Sequence, residues 1–390
     1  MIRKERLFTP GPTQLLPTAQ MAMAGATMHH RTADFRALYS KVLADLRVFI
    51  GTRNDVILFT SSGTGAMEAS VCNLTSPGDR VLVISAGKFG ERWEALARTF
   101  GCQVDTIRAP YGQAVSPMQV KEKLTPAHSV VYMQATESST GVRHDVASIA
   151  RLLKGTDTLL VVDAITGLGT TNFNVDGWGI DVIIGGSQKA VMIPPGLAYC
   201  SVSERAWRRM EITRNPRYYF DLRKERKNGA KGESSYTPST VLVAGLSAAL
   251  DYLREQGGGD LTAGRDLLIA NAEKAALMTR CAAQSLGLRL FAEDSPASAL
   301  TAIASPKGMD SGKIVKLFRE RFGAVIANGQ GEMKGQLFRI AHLGFYDYLD
   351  TISMIGALEH VLIEAGVEIE LGAGLCSAQQ AFTVLEQAAA

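Results

Sequence analysis

Residues 159–189 read LLVVDAITGLGTTNFNVDGWGIDVIIGGSQK, a stretch in which two short apolar runs each lead into polar residues. The first run, Leu159 to Val162, is followed by Asp163, and the second, Asp181 to Ile184, leads through two glycines to Lys189. Such runs are typical of buried parallel strands. Because open α/β sheets bind ligands at the carboxyl ends of their strands, the pattern predicts an acid and an amine at that edge.

Asp163 and Lys189 together indicate a kind of chemistry that neither indicates alone. A lysine in a dry site can have a depressed pKa and act as a nucleophilic amine. An acid beside such a lysine suggests pyridoxal phosphate as the cofactor. From these two residues, one alternative stays open, in which Asp163 caps the following turn and Lys189 is a solvated surface lysine.

Length and composition describe a globular protein of enzyme size. The 390 residues exceed one small core, so we expect a large domain and a smaller one. Apolar residues make up 46% of the chain and charged residues 20%, and the formal net charge of +3 argues neither for nor against nucleic acid. No apolar run approaches a membrane span and no apolar stretch follows the basic N-terminus, so we expect no membrane partner and a cytoplasmic protein.

Cysteine and histidine patterns give no reason to expect a metal or a disulfide. The five cysteines are widely spaced and form no CxxC pair. The adjacent His29 and His30 lack the i,i+4 spacing of a helical metal pair. We therefore predict that the site contains no metal.

The order of elements predicts the fold. Strands, turns and helices alternate from Val56 to Val202 with no proline inside a strand, which predicts a doubly wound, mostly parallel sheet. Its first strand, Asp55 to Thr60, runs into SSGTG at residues 61–65, a glycine turn that would direct free N–H groups toward a phosphate. A nucleotide could use the same cup, but the spacing is not GxGxxG and the chain contains no GxxxxGK.

Taken together, VVDAITGLG, DVIIGGSQKA and PPGLAY resemble the core of the class V aminotransferases, which are fold type I pyridoxal-phosphate enzymes, and most closely their alanine–glyoxylate and serine–pyruvate branch. The resemblance extends from TPGPT at Thr9 to FRIAHLG near Arg339, which is most of the chain. It implies ping-pong transamination between alanine or serine and glyoxylate or pyruvate.

The resemblance also implies roles for single residues. Lys189 would hold the cofactor and carry a proton, and Asp163 would keep the cofactor ring nitrogen protonated. Arg339, a lone arginine in an apolar strand, would grip the substrate carboxylate, although a structural ion pair is the alternative that its position leaves open. The other implied cofactor contacts are Ser62, Gly63, Thr64 and Gln188 at the phosphate, Phe89 and Ile165 on the two ring faces, Ser138 beside the cofactor, and Thr237 at the phosphate in the partner subunit.

A homodimer with shared active sites follows from the same resemblance, because in the family the TPGPT arm crosses to the partner subunit. From the residues alone, TPGPT could equally be an ordinary surface turn. A tyrosine that the family usually has three residues before Thr237 is replaced by Ser234, which puts one cross-subunit phosphate contact in doubt.

We predict an N-terminal arm at residues 1–20, a large cofactor-binding domain at 21–259, a smaller α+β domain at 260–372 and an irregular tail with a short helix at 373–390. Residues 205–231 are rich in arginine, lysine and tyrosine. They could serve nucleic acid or attract anionic keto acids, but a solvated, mobile loop is the simplest interpretation, and we expect no nucleic-acid partner.

Two alternatives to an aminotransferase share its fold. A cysteine desulfurase would need a mobile cysteine just before Arg339, and residues 327–336 contain none. A non-catalytic scaffold would have no use for Asp163, Lys189 and Arg339 together, and a yellow purified protein would exclude it.

Overall fold

The computed structural model describes residues 3–389. Its strands are β1 Arg6–Leu7, β2 Asp55–Phe59, β3 Arg80–Ser85, β4 Gln103–Arg108, β5 His128–Gln134, β6 Thr136–Glu137, β7 Val142–Arg143, β8 Leu159–Asp163, β9 Val182–Gly186, β10 Ala198–Val202, β11 Leu300–Ala304, β12 Ala324–Val325, β13 Ala327–Asn328 and β14 Leu337–Ala341. Its helices are α1 Pro17–Gly25, α2 Ala33–Ile50, α3 Gly63–Leu74, α4 Lys88–Thr99, α5 Pro117–Lys123, α6 Val146–Leu153, α7 Val175–Trp178, α8 Glu204–Ile212, α9 Leu222–Gly229, α10 Thr240–Gln256, α11 Leu261–Ser285, α12 Ser311–Phe322, α13 Tyr348–Ala365 and α14 Ala373–Ala389. Among these helices, none is both long and apolar enough to cross a membrane.

A seven-stranded sheet organises the N-terminal part of the chain. Its strand order is β2-β10-β9-β8-β5-β3-β4, and only β10 runs antiparallel to its neighbours. The predicted doubly wound, mostly parallel sheet is therefore confirmed. One strand is longer than expected, because Gly185 and Gly186 continue β9 by pairing with β10.

Strand β8 shows why this sheet is buried on both faces. Leu159 and Val161 point into the apolar layer beneath α3, α4 and α8, whereas Leu160 and Val162 point into the layer beneath α2, α6 and α10. An apolar side chain on both faces leaves only the strand ends for polar groups. Asp163 is the last residue of that strand.

A second, smaller sheet follows in the C-terminal part. Strands β11, β14 and β13 pair antiparallel, and Arg339 in the middle strand lies opposite Ala302 on one side and Ala327 on the other. Helices α11, α12 and α13 pack against this sheet through one apolar cluster. The N-terminal strand β1 pairs with β12, so the arm is tethered to this part of the chain.

The basic stretch differs from the expected mobile loop, because residues 205–231 contain most of α8 and all of α9. Ser203 and Asp221 cap these helices with their side chains, and Trp207 of α8 is buried. Arg209 and Arg217 donate to the carbonyls of Leu74 and Cys72. The arginines of this stretch therefore bind the adjoining backbone instead of only facing solvent.

The C-terminal tail also differs from its prediction as irregular with a short helix. Residues 373–389 form one helix, α14, that packs against α11. Leu375 and Phe382 join the apolar cluster of the small sheet. The buried carboxylate of Glu359 accepts hydrogen bonds from the N–H groups of Gly372 (2.9 Å) and Leu375 (3.1 Å) at the start of this helix.

Candidate active site

Asp163 stands at the carboxyl end of β8 with a buried side chain. Its Oδ1 accepts a hydrogen bond from the N–H of Ile165 at 2.9 Å, and no other described residue donates to the carboxylate. Burial raises the pKa of Asp163 to about 6, while the Ile165 N–H and the charges of Lys189 and Arg92 act in the opposite direction. A partly unpartnered, enclosed carboxylate is suited to a cationic N–H partner.

Lys189 follows the end of β9 and is also buried. Burial lowers the pKa of Lys189 to about 8; Asp163 raises it, and Arg339 and Arg92 lower it further. Its Nζ donates to the carbonyl of Pro10. Near neutral pH, this amine is therefore much closer to its nucleophilic form than a solvated lysine is.

Lys88 is the other lysine near the site, and its surroundings are different. Its Nζ forms an ion pair with Glu91 at 2.7 Å. Hydrogen bonds to Glu91 and Tyr111 raise the pKa of Lys88, so this amine stays protonated. Of the two lysines, Lys189 therefore has the lowered pKa that a lysine needs to bind a cofactor covalently, and Lys88 does not.

The N-terminal arm lies directly on Lys189 of its own chain. Thr13 donates its N–H to the Gln188 carbonyl (3.2 Å) and its hydroxyl to the Lys189 carbonyl (3.0 Å). Gly11 has a φ of +131°, and a Cβ there would stand 2.7 Å from Lys189 Nζ, so the close approach requires glycine. The family resemblance implied an arm that crosses to the partner, but here these contacts and the β1–β12 pairing keep it at its own site.

The start of α3 has the features of an anion cup. Ser62 is its extended N-cap and makes no side-chain capping bond, and Gly63 begins the helix. A Cβ on Gly63 would overlap Ile165 Cδ1, so glycine lets the helix end approach the loop after Asp163. Nearby, Gln188 Oε1 is buried and has no hydrogen-bond partner among the described residues. The helix N–H groups suit a phosphate, whereas the unpartnered Gln188 oxygen is an acceptor and needs a donor.

Arg339 is held by backbone carbonyls instead of a carboxylate. Its Nη1 donates to the Ser138 carbonyl at 2.7 Å, and its Nε and Nη2 donate to the Asn328 carbonyl. Within residues 3–389 no acid lies at ion-pair distance from it, which removes the support for a structural ion pair. Burial lowers the pKa of Arg339 to about 10, while the charge of Glu137 raises it.

A cavity of about 340 Å³ joins these groups. Its lining includes Phe89, Ser138, Lys189 and Arg339, together with Pro10 of the arm. The predicted residues of both the large and the small sheet therefore meet in one place. The other predicted residues adjoin this cavity. The charge of Asp163 acts on Lys189, and Gln188 is the residue before Lys189. Ile165 lies against Gly63 at the start of α3.

Thr237 is the predicted site residue that the structure leaves apart from this cavity. It is exposed just before α10, and the nearby Ser239 donates its N–H to Thr60 Oγ1 at 3.0 Å. Ser234, in place of the family tyrosine, donates to the Tyr236 carbonyl. The role of Thr237 toward a partner subunit thus stays a prediction.

Two polar residues of the site were missed by sequence reasoning. Arg92 Nη1 donates to Thr64 Oγ1 at 3.0 Å, and its guanidinium lies 4.8 Å from the ring centre of Phe89. Its position three residues after Phe89 on a helix was the available signal, since such residues share a face. Glu137 is fully buried, and an acid close after a buried strand was the available signal, as at Asp163.

Comparison with known proteins places these features in a family. The model of the family described as aminotransferase class-V matches residues 14–332. The chain is 39% identical to the soluble hydrogenase 42 kDa subunit of Anabaena cylindrica, over 97% of this chain and 99% of that protein. It is 33% identical to the L-aspartate–glyoxylate aminotransferase of Paracoccus denitrificans (97% and 96% covered) and 31% identical to the serine–glyoxylate aminotransferase of Methylorubrum extorquens (96% and 95% covered).

Solved structures of aminotransferases also resemble this chain. An aspartate aminotransferase of subgroup IV from Thermus thermophilus superposes with a TM-score of 0.85 at 33% identity, covering 92% of this chain and 99% of that one. An alanine–glyoxylate aminotransferase from Nostoc sp. superposes with a TM-score of 0.86 at 27% identity, covering 93% and 96%.

Proposed function

Since this chain belongs to the class-V aminotransferase family, we propose that it transfers an amino group between a small amino acid, alanine or serine, and a small 2-oxo acid, glyoxylate or pyruvate. The observation that carries the proposal is a buried lysine of lowered pKa in a cavity that also contains an arginine, which has no acid at ion-pair distance among residues 3–389. An amine for the cofactor and a cation for a carboxylate are the two groups that the reaction requires.

Enzymes of this family depend on pyridoxal phosphate, and the residues present fit that group. The free N-terminal end of α3 suits its phosphate, and the Asp163 carboxylate, which has one donor among the described residues, suits its ring nitrogen. The residues that would hold it are Ser62, Gly63, Thr64, Phe89, Ser138, Asp163, Ile165, Gln188, Lys189, and Thr237 from a partner subunit.

Each residue of the site would make a distinct contribution to the reaction. When bound, pyridoxal phosphate supplies an electron sink for the electron pair left on the substrate Cα. Lys189 Nζ would remove the Cα proton as a base and return it as an acid, and a pKa of about 8 suits both tasks near neutral pH. Asp163 would accept a hydrogen bond from the protonated ring nitrogen and so stabilise its charge.

Arg339 has donors left for a substrate. A guanidinium has five N–H groups, and three of these are used by the carbonyls of Ser138 and Asn328. One N–H on Nη1 and one on Nη2 remain, which is the pair that a bidentate carboxylate contact needs. Arg339 would thus hold first the amino donor and then the oxo acid acceptor, as a ping-pong reaction requires.

The names of the relatives support glyoxylate as the acceptor, but they differ in the amino donor. Three of the proteins reported above are named for glyoxylate, and the amino donors in their names are aspartate, serine and alanine. The Anabaena relative is named as a hydrogenase subunit. The cavity described above is lined by an amine, a guanidinium and hydroxyls, which are groups of amino-group chemistry and not thiolates.

A half-reaction panel tests the proposal. Purified enzyme loaded with pyridoxal phosphate is mixed with alanine, serine, aspartate or glycine in turn, and the absorbance of the lysine-bound cofactor is followed. We expect alanine or serine to convert the cofactor fastest, and glyoxylate or pyruvate to restore it. If none of the four amino acids changes the absorbance, the proposed substrate class is wrong.

We further propose a homodimer with shared active sites. Thr237 is exposed on a segment that also contains the exposed Tyr218, which suits a role at a neighbouring subunit. Analytical ultracentrifugation at low concentration measures the oligomeric state. A stable monomer with full activity would contradict the assignment of Thr237 to the cofactor.

A further inference from the structure

Glu137 is a fully buried acid that lies between the two halves of the site. It ends β6, within the hairpin that connects β5 to α6, and its side chain is 0% exposed. Both carboxylate oxygens are occupied by donors. Oε2 accepts from the N–H groups of Phe89 (3.1 Å) and Gly90 (3.0 Å) and from Gln134 Nε2 (3.2 Å), and Oε1 accepts from the N–H and the hydroxyl of Ser139.

These contacts cap the N-terminus of α4. The first three N–H groups of a helix have no partner inside it. Here Lys88 donates to Ser139 Oγ at 3.0 Å, and Phe89 and Gly90 donate to Glu137. A carboxylate at a helix N-terminus is also stabilised by the helix dipole. Glu137 therefore fixes the turn of helix that carries the Phe89 ring.

Two glycines at the start of α4 allow the helix to pack closely against the residues around this carboxylate. A Cβ on Gly87, the residue before α4, would stand 2.6 Å from Glu137 Cδ and would overlap Ser139 Oγ. A Cβ on Gly90 would stand 2.9 Å from Gln134 Nε2. Two glycines thus let the helix end reach the acid, which places α4 at one position relative to the hairpin.

The charge state of Glu137 follows from its partners. Ser139 Oγ accepts the Lys88 N–H, so the Ser139 hydroxyl hydrogen is directed to Glu137. Burial raises the pKa of Glu137, while the Ser139 and Gly90 hydrogen bonds lower it. Because each of the five contacts is a donor, the arrangement suits the ionised carboxylate.

Glu137 also reaches the substrate half of the site. The next residue, Ser138, offers the carbonyl that accepts from Arg339 Nη1 at 2.7 Å. In addition, Glu137 is the acid whose negative charge acts on the Arg339 guanidinium. Glu137 is therefore coupled to Phe89 by hydrogen bonds. It is coupled to Arg339 by its negative charge and through the backbone of the next residue, Ser138.

We propose that Glu137 is a positioning residue for the transamination site: it fixes Phe89 through the α4 terminus and balances the charge of Arg339 before a substrate carboxylate arrives. The proposal rests on the proposed roles of Phe89 and Arg339. It assigns Glu137 no contact with the substrate.

The test compares Glu137→Gln with Glu359→Gln. Glu359 is also a buried carboxylate that accepts two backbone N–H groups at a helix start, but it belongs to α13 and the helix start is that of α14, away from the site. Both variants should lose thermal stability to a similar degree. Only Glu137→Gln should speed amide hydrogen exchange at Phe89 and Gly90 in the cofactor-free protein, by about 10- to 100-fold, the factor expected for a lost hydrogen bond to a charged acceptor.

Kinetics then separates positioning from stability. Glu137→Gln should lower kcat and weaken cofactor binding, while KM for the amino acid stays level or falls because Arg339 loses its opposing charge. Glu359→Gln should keep kcat and KM. Wild-type exchange at Phe89 and Gly90 in Glu137→Gln, or an equal loss of kcat in Glu359→Gln, would overturn the proposal, whatever the identity of the substrates.

A second variant covers the case in which Glu137→Gln does not fold. Ser139→Ala removes the acceptor of the Lys88 N–H and leaves the Glu137 carboxylate in place. Exchange should then rise at Lys88 and stay slow at Phe89 and Gly90. Fast exchange at all three amides would show that Ser139, and not Glu137, holds the helix end.

Discussion

The two halves of the site are held by different kinds of structure. Asp163 ends β8 and Lys189 follows the neighbouring parallel strand β9, so the large sheet determines their positions. Arg339 belongs to the small sheet, and its guanidinium reaches the Ser138 carbonyl across the boundary between the two sheets. The cofactor half therefore depends on strand topology, whereas the substrate half depends on contacts between separate parts of the chain.

The largest effect should come from Lys189→Ala, which removes the central group of the cofactor half. A positioned acid–base group contributes about 10²–10⁴-fold to a rate, and this variant also loses the amine that holds the cofactor. We therefore expect kcat to fall by about 10⁴-fold or more with the fold retained. Lys88→Ala is the matched control and should keep most of the activity, because Lys88 is paired with Glu91.

A smaller and more selective effect should come from Arg339→Lys in the substrate half. The substitution keeps the charge but loses the bidentate geometry. Breaking a desolvated, charge-assisted pair costs about 2–5 kcal/mol, or roughly 30-fold to several thousand-fold in kcat/KM.

The selectivity of that loss identifies the role of Arg339. Amines without a carboxylate should be affected far less than amino acids, and the protein should fold and stay yellow. Its melting temperature should fall moderately, because lysine cannot replace all three hydrogen bonds to the Ser138 and Asn328 carbonyls. Equal losses on both classes of amine would show that Arg339 is structural.

The smallest effect is the contribution of Asp163 to the stability of the cofactor-free protein. Burial raises its pKa to about 6 in the folded protein. An acid with a raised pKa contributes stability that is fully present below its unfolded pKa, near 4, and is lost as the pH rises through 6. The change is about 3 kcal/mol for a shift of about two pKa units.

Asp163→Asn lacks this titration. In urea unfolding of the cofactor-free proteins, the free energy of unfolding of the variant should therefore rise relative to that of wild type between pH 4 and pH 7. Asp105 gives a control of opposite sign, because the hydrogen bonds from Arg80 and His128 lower its pKa to about 2. Asp105→Asn should lose stability relative to wild type at pH 7. A pH-independent difference between wild type and Asp163→Asn would refute the burial argument.

The same contrast explains what the sequence could predict. The strand-end positions of Asp163 and Lys189 follow from apolar runs and their polar ends, which are local signals. No local signal indicates that Arg339 would reach the Ser138 carbonyl, 201 residues away, or that Glu137 would cap α4. The N-terminal arm shows the same limit, since its turn-rich sequence does not reveal which chain's Lys189 it covers.

The helices at 204–229 and 373–389 were missed for a different reason. Arginine and lysine suggested a solvated loop, but Arg209 and Arg217 satisfy carbonyls at the end of α3 and so hold the helices in place. At the tail, the carboxylate of Glu359 stabilises the start of α14 from another helix. Contacts with distant parts of the chain stabilise the helices in both segments, and helix propensity, which depends on the local sequence, does not include such contacts.

Peptide mapping after borohydride reduction tests the central claim most directly. Reduction fixes the cofactor to the lysine that holds it, and mass spectrometry of the digest then identifies that lysine. Because Lys189 has the lowered pKa and the place at the strand end, we predict the label on Lys189 alone. A label on Lys88, whose side chain lies against Gly331 beside the same cavity, would contradict the account.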